Sequence, residues 1–437
     1  MQKASQFAAF LGEGQSISQQ RPPTFIDAFA GCGGLSLGLM KAGWQGLFAI
    51  EKDSFAHETL RTNFLNGASP YQYNWPKWLP QEPITIDDLT MHHGEWLDQL
   101  KGKVDLLAGG PPCQGFSSAG RRDPFDPRNK LVDAYLGLVE RLSPDMVLLE
   151  NVRGITYDFS SDEENSTTNY SQKLIGTLSK DYYVFSKLLM ASSLGVPQKR
   201  PRFFLFAMRK GVERPWPYDN PFDAVSAHKK NFFRARGLPL TPSAGAAISD
   251  LEVSRNGKIE CDDSKGYEAI GYKEPKTAFQ KLMRKGFDGQ PSCTRLAKHR
   301  EHIVDRFGII IERCKAEGRL NTSISKELRE EFGIKKQAIR VMDPRKSAPT
   351  ITSMPDDLLH YKEPRTLTVR ENARLQTFPD WFEFKGKYTT GGHLRRREVP
   401  RFTQVANAVP PLIAELLGEC LLEYRADEAT GTKDKVA

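Results

Sequence analysis

The chain has 437 residues, 39% hydrophobic and 27% charged, and its 62 Lys and Arg against 54 Asp and Glu leave a formal charge of +8. That length can bury a substantial core and points to two domains, and the even spread of apolar residues excludes a disordered or fibrous chain. No run approaches the length needed to cross a bilayer, and the apolar stretch 7–11 is too short for a signal peptide, so no membrane association and a cytoplasmic location are expected. Six scattered cysteines lack the close pairs of a zinc site and are expected to stay thiols, with no metal.

In chain order, residues 1–22 are rich in Gln and Ser and read as a flexible leader. Short, nearly continuous apolar runs then follow at 24–27, 46–51, 104–108, 146–150 and 203–208, separated by segments of helical spacing such as 35–42 and 131–142. That alternation predicts an α/β domain, a doubly wound parallel sheet covered on both faces. After about residue 210 the rhythm is lost, and Pro215, Pro217, Pro221, Pro239 and Pro242 mark the start of a second domain. Segments 301–313 and 324–342 have helical spacing there, and 325–332, Gly333 and 335–342 fit a helix-turn-helix. Segment 404–424 is an apolar helix pattern, and the tail after Arg425 is expected to fray.

Four stretches carry chemistry. Phe25-Ile26-Asp27-Ala28-Phe29-Ala30-Gly31-Cys32-Gly33-Gly34 reads as a strand entering a glycine turn, where bare backbone admits a ligand to the sheet edge. Ser36 stands where a dinucleotide fingerprint needs its third glycine, so a nucleoside cofactor without pyrophosphate fits better. Glu51 closes the next strand where a carboxylate grips ribose hydroxyls, and Asp88 is placed to receive an adenine amino group. Cys113 follows Gly109-Gly110-Pro111-Pro112 at the end of a strand, a poor site for a core thiol and a good one for a nucleophile. Glu150 ends the next strand as the candidate acid for a ring nitrogen, and Arg200 and Arg202 offer rigid guanidinium donors to a base carbonyl or phosphate. Basic clusters at 276–300, 335–346 and 395–401 suit a polyphosphate partner.

Taken in order, FAGCGG at 29–34, GPPCQ at 110–114, ENV at 150–152, QKRPR at 198–202, RTLTVRENARLQTFP at 365–379 and QVANAVP at 404–410 resemble the motifs of DNA (cytosine-5) methyltransferases of the prokaryotic modification type. The resemblance implies a Rossmann-like methyltransferase fold using S-adenosylmethionine, with S-adenosylhomocysteine as product. It implies that Cys113 attacks C6 of a flipped-out cytosine, Glu150 engages N3, and Arg200 with Arg202 orient the ring. The cofactor contacts it carries over are Phe25, Gly31, Gly33, Glu51, Asp88, Pro112, Leu131 and Asn407. Segment 115–130 resembles a lid over the extruded base, with Ser117, Arg121, Arg122 and Arg128 toward DNA.

The implied organisation is a catalytic domain at 23–209 completed by 404–425, a target-recognition domain at 210–403, and a tail at 426–437. A monomer acting on double-stranded DNA is expected, beside a restriction or phage-defence partner. Ala406, where a glycine is usual, and Ala28, where the residue is usually bulkier, depart from the pattern. A transfer-RNA cytosine methyltransferase and a non-catalytic DNA-binding relative are the rivals; the basic second domain opposes the first, and Cys113 with Glu150 opposes the second.

Overall fold

The structure, a computed structural model, describes residues 21–67, 69–112, 130–161, 166–212, 216–391, 394 and 397–426. Contacts divide these residues into two compact units. The first holds 21–189, 201–228 and 414–426, and the second holds 190–200 and 229–413. The sequence breaks expected near 210 and 404 thus fall at 229 and 414, and the short segment 190–200 goes with the second unit.

The first unit is built on β1 (Thr24–Ala28), β2 (Gln45–Ile50), β3 (Leu106–Gly109), β4 (Met146–Val152), a separate antiparallel pair β5 (Phe159–Ser161) and β6 (Ser166–Thr168), then β7 (Tyr182–Met190) and β8 (Pro201–Arg209). Six of these form one sheet in the order β2-β1-β3-β4-β8-β7. The pairs β1–β2, β1–β3 and β3–β4 are parallel, whereas β8 runs antiparallel to β4, with Met146 opposite Met208 and Val152 opposite Arg202. The sheet is therefore mixed, not parallel as expected. β7 escaped the sequence pattern because it is the edge strand, and most of its residues are half-buried or exposed.

Helices α1 (Gly34–Lys41), α2 (Ser54–Phe64), α3 (Ile86–Gln99), α4 (Lys130–Leu142) and α5 (Tyr170–Leu178) alternate with the strands. Side chains Asp53, Thr85 and Asn169 cap α2, α3 and α5 by accepting from backbone N–H groups of the first turns. On α4, Val132, Tyr135, Leu136, Val139 and Leu142 repeat at helical spacing and are buried. They share a core with Ile26, Leu107, Val147, Leu149 and Leu205, which project from one face of the sheet.

The opposite face presents Phe25, Leu106, Leu148, Phe204 and Phe206, also buried. The last helix, Pro411–Ala426, is tied into this unit by three contacts: Trp44 Nε1 donates to the Gly418 carbonyl at 3.0 Å, Lys41 pairs with Glu415 at 2.5 Å, and Arg425 Nε reaches Asp105 at 3.0 Å. A Cβ on Gly418 would lie 2.8 Å from that of Ala42, so glycine sets the closeness of this approach. Contrary to expectation, Arg401–Arg425 is long and apolar enough to cross a membrane, but 72% of its most apolar window is buried within the protein. Its apolarity fills a core.

In the second unit, helices Glu301–Ala316 and Lys326–Glu331 enclose Phe307, Ile310, Ile311, Leu328, Val341 and Leu359. The helix-turn-helix is not formed. After Gly333 the chain is extended, Arg340–Val341 pairs with Leu358–Leu359, and β-branched Ile339 and Val341 enter the core as a strand. Elsewhere in this unit the segment 365–379 is almost wholly buried. Its helix Val369–Leu375 opens on a Thr368–Glu371 capping box, Arg365 grips Glu371 with two bonds of 2.8 Å, and Arg374 lies between Asp250 and Asp380 at 3.2 and 2.5 Å with no exposed surface.

Removing Arg374 would leave Asp250 buried without its ion-pair partner and Asp380 with only the longer contact to Arg284 at 3.4 Å. Arg374→Met is expected to cost about 3–5 kcal/mol, read as a lowered midpoint in thermal or urea unfolding; a midpoint equal to wild type would show that the network carries no stability.

Candidate active site

The parallel register aligns the strand ends of the first unit. Ala28 is level with Ile50 on one side and Gly109 on the other, and Gly109 is level with Leu149. The next residues are therefore Phe29, Glu51 and Gly110, just beyond the ends of β1, β2 and β3, level with Glu150 on β4, which continues to Val152; open α/β sheets bind ligands along this carboxyl edge.

Close packing of backbone holds this row. The Ala30 N–H donates to Ile50 O at 3.0 Å and the Gly110 N–H to Ala28 O at 3.3 Å. A side chain at Gly109 would come within 2.7 Å of Ala28 O, so β3 can lie this close only as glycine. Beyond β1 the chain turns sharply: Phe29, Gly31 and Gly33 all have left-handed backbone, with φ of 61°, 57° and 91°. At Gly33 a Cβ would meet Phe64 at 2.4 Å, while at Gly31 it would meet nothing among the described residues within 4 Å. The turn is thus packed beneath and open above.

Glu51 grips the turn from β2. One carboxylate oxygen accepts from the Gly31 N–H at 2.9 Å and the other from the Asp53 N–H at 2.7 Å. Burial raises its pKa, opposed by those same backbone donors. Each oxygen keeps a further lone pair, which suits ribose hydroxyls. Ser36 is buried; its hydroxyl donates to Asp27 and accepts from Tyr73 at 2.6 Å. Ser36 therefore serves the interior, not a phosphate.

Glu150 is 7% exposed, and its Oε1 lies 2.9 Å from Arg202 Nε across the β4–β8 pair. Arg202 also donates to the Pro201 carbonyl at 2.8 Å; burial lowers its pKa and Glu150 pulls it back up. A Cβ on Gly110 would be 3.6 Å from Glu150 Oε2, so the glycine leaves the carboxylate room. Asn151 fixes the neighbouring turn, donating from Nδ2 to Pro111 O at 3.0 Å while its Oδ1 accepts from the Val152 N–H at 2.7 Å. Pro112 is the last described residue before a gap; Cys113, Ser117, Arg121, Arg122 and Arg128 lie outside the described residues.

The remaining expected contacts divide. Leu131 is half-buried in the first turn of α4. Asp88 is exposed, and its carboxylate accepts from Thr85 Oγ1 at 2.7 Å at the cap of α3. Phe25 does not stand at the strand ends. It is fully enclosed in the body of β1, packed on Tyr73 at 6.0 Å between ring centroids, and has no surface to offer a ligand. The aromatic at the edge is Phe29, marked in the sequence only by its place before Ala30-Gly31.

Arg200 and Asn407 belong to the second unit. Arg200 is 1% exposed and donates to the Ala408 carbonyl at 3.3 Å, and Asn407 is exposed at the end of helix Arg401–Asn407. Gln198 and Gln376 bond to each other at 3.0 Å, and Gln376 donates to Val405 O at 2.8 Å, so three of the family-like motifs are joined within that unit. The basic clusters are less available than their count suggests. Arg284 and Arg401 are largely buried and paired with Asp380 and Asp263, Arg295 is stacked 3.6 Å over Tyr388, and Lys336 is held by Asp356 and Asp357. Arg345 and Lys346 do project, with side chains 80% and 66% exposed.

A glycine turn open above, a ribose-ready carboxylate after β2 and a proline turn beside a buried acid together define a nucleoside-cofactor transferase of the α/β class. The profile of the C-5 cytosine-specific DNA methylases matches residues 23–423, and the chain belongs to that family. It is accordingly a DNA (cytosine-5)-methyltransferase, whose methyl donor is S-adenosylmethionine. Among its relatives, the type II methyltransferase M.DdeI of Desulfomicrobium norvegicum is 32% identical over 91% of this chain and 88% of its own length. M1.HphI of Haemophilus parahaemolyticus is 28% identical over 93% and 88%. A solved DNA modification methyltransferase encoded within an E. coli prophage superposes with a TM-score of 0.63 at 25% identity, covering 92% of this chain and 99% of that one.

Asn151→Ala should free the proline turn while leaving the glycine turn intact. Turnover is expected to fall about tenfold or more with S-adenosylhomocysteine affinity retained; equal losses in both would place Asn151 in general folding instead.

Proposed function

We propose that the chain methylates C5 of a cytosine flipped out of a specific duplex sequence, through a covalent adduct on Cys113. The observation that carries this reading is the Glu150–Arg202 ion pair, set level with the residues just past the ends of β1 to β3 and beside the proline turn that leads to Cys113. A carboxyl and a guanidinium side by side match the N3 and carbonyl edge of an unstacked cytosine, which must leave the duplex to reach them.

The chemistry balances as follows. The Cys113 sulfur adds to C6, and the ring electrons move toward C5 as Glu150 hydrogen-bonds or protonates N3 and Arg202 holds the carbonyl oxygen. A free thiol near 8.5 is mostly protonated at neutral pH, so this withdrawal of charge assists attack. Bound S-adenosylmethionine supplies an electrophilic methyl group and is released as S-adenosylhomocysteine. C5 forms the new carbon–carbon bond, its proton is lost, and the sulfur leaves C6 as the ring regains aromaticity. Phe29, Gly31, Gly33 and Glu51 would hold the cofactor, with Pro112, Leu131 and Asp88 as further contacts. Ser117, Arg121, Arg122 and Arg128 would meet DNA from the lid.

The second unit would read base edges in the major groove. The type II relatives favour a modification enzyme of a restriction system acting on host DNA; a cytoplasmic monomer with a part in phage defence completes the proposal.

Cys113→Ala is expected to abolish methyl transfer while retaining S-adenosylhomocysteine binding, and duplex DNA carrying 5-fluorocytosine at the target should trap an adduct that mass spectrometry assigns to Cys113. An adduct on another cysteine, or persistent turnover, would overturn the mechanism. Glu150→Gln should slow turnover by roughly 10²–10⁴-fold in a single-turnover assay, and an unchanged rate would remove its role. Bisulfite sequencing of DNA from expressing cells reports the target.

A further inference from the structure

Among the buried carboxyls that play no part in this chemistry, Asp27 lies nearest the glycine turn. Asp27 is 1% exposed near the end of β1, directly beneath the glycine turn. It accepts the hydroxyl of Ser36 and also the Ser36 backbone N–H, in the first turn of α1. The residue at the cap of that helix, Gly33, has no side chain to do this, so a strand residue caps the helix from below. The chain of bonds continues outward: the Tyr73 hydroxyl donates to Ser36 at 2.6 Å. Tyr73 is itself wedged against Phe25 and Phe64, and its ring lies where a Cβ on Gly46 would come within 2.5 Å.

We propose that Asp27 is a positioning residue for the methyl donor: in its ionised state it holds the Ser36 amide and hydroxyl at the head of α1 and so fixes the turn 29–33 that receives the cofactor. This rests on the turn being the S-adenosylmethionine site. An ionised carboxylate accepts both Ser36 donors without competing for the hydroxyl proton; the neutral acid carries a proton of its own, which must displace one of those contacts. The bond to the charged form is also the stronger one.

Burial pushes the Asp27 carboxyl up to about 7, with the Ser36 bonds pulling it down and Glu51 adding to the rise. The other titratable groups that face it are Cys32 in the turn, Tyr73 and Tyr135, and burial drives each of these upward, Cys32 to about 12. They stay neutral through the range in which Asp27 changes charge. Because the folded value lies above the unfolded one, the stability linked to this group is full below about pH 4 and is lost as pH rises through the folded value. Cofactor grip runs the other way, improving as Asp27 ionises.

Calorimetric titration of S-adenosylhomocysteine into the intact protein from pH 6 to 8.5 separates the possibilities. Wild type is expected to bind more tightly as pH rises. Asp27→Asn, which keeps an acceptor and loses the charge, should bind about tenfold more weakly at pH 8, the scale of one charge-assisted hydrogen bond, and show a flat profile. Ser36→Ala, which keeps the charge, should lose roughly threefold, about one modest hydrogen bond, and retain the slope. An Asn variant that matches wild type at pH 8, or that keeps its pH dependence, overturns the proposal. If melting shows that Asp27→Asn does not fold, Ser36→Ala decides: unchanged affinity overturns, and weakened affinity with the slope retained supports. Absence of binding to wild type would instead overturn the assignment of the turn as the cofactor site.

Discussion

Everything at the candidate site depends on strands β1 to β3 ending level beside β4 with their backbones in near contact. The level ending is a matter of register: once Ala28 lies beside Ile50 and Gly109, the following residues on those strands share one edge. The near contact is a matter of missing side chains. Gly109 is pressed against the Ala28 carbonyl and Gly110 against the Glu150 backbone, and the proline turn can begin there because neither glycine has bulk to accommodate. An added methyl group at Gly109 would push β3 away from β1, and one at Gly110 would crowd the Glu150 backbone carbonyl.

Buried charge serves two purposes in this molecule. In the first unit, Asp27 and Glu51 accept backbone N–H groups on the two flanks of the glycine turn, so carboxylates take the place of secondary structure where the chain is too irregular to supply its own bonds. In the second unit, Arg365 and Arg374 each satisfy two carboxylates and carry no exposed polar edge. Arg200 and Arg202 stand only two positions apart and divide along the same line. One is enclosed against the Ala408 carbonyl, and the other faces Glu150.

Much of this was legible in the sequence because the first unit is made of local signals. Apolar runs marked β1 to β4 and β8, and Gly, Pro and Glu at their ends marked the edge. What the sequence concealed needed neighbours to decide it. β7, YYVFSKLLM, has Ser186 and Lys187 breaking its apolar run and leaves most of its residues half-buried or exposed because it has one open side, and the sense of β8 follows from its pairing partner and not from its composition. Phe25 and Phe29 are the same residue type four positions apart, and only the point where β1 ends, at Ala28, separates a core ring from an edge ring. Segment 335–342 has helical spacing, yet pairing with Leu358–Leu359 outweighed it. The basic clusters could not be sorted by sequence, because a guanidinium stacked on tyrosine and one directed at solvent are written with the same letter.

The closing helix has a consequence for how the molecule comes into being. Residues from 414 onward belong with the unit that begins the chain, and the whole of the second unit is synthesised in between. Until the ribosome has delivered that helix, the Trp44 indole lacks the Gly418 carbonyl and Lys41 lacks Glu415. A product that stops short of this helix therefore carries Glu150 and the proline turn on a sheet that lacks these contacts. The same arrangement makes the gene a natural subject for splitting, since a separately expressed carboxyl-terminal piece would bring the missing wall with it.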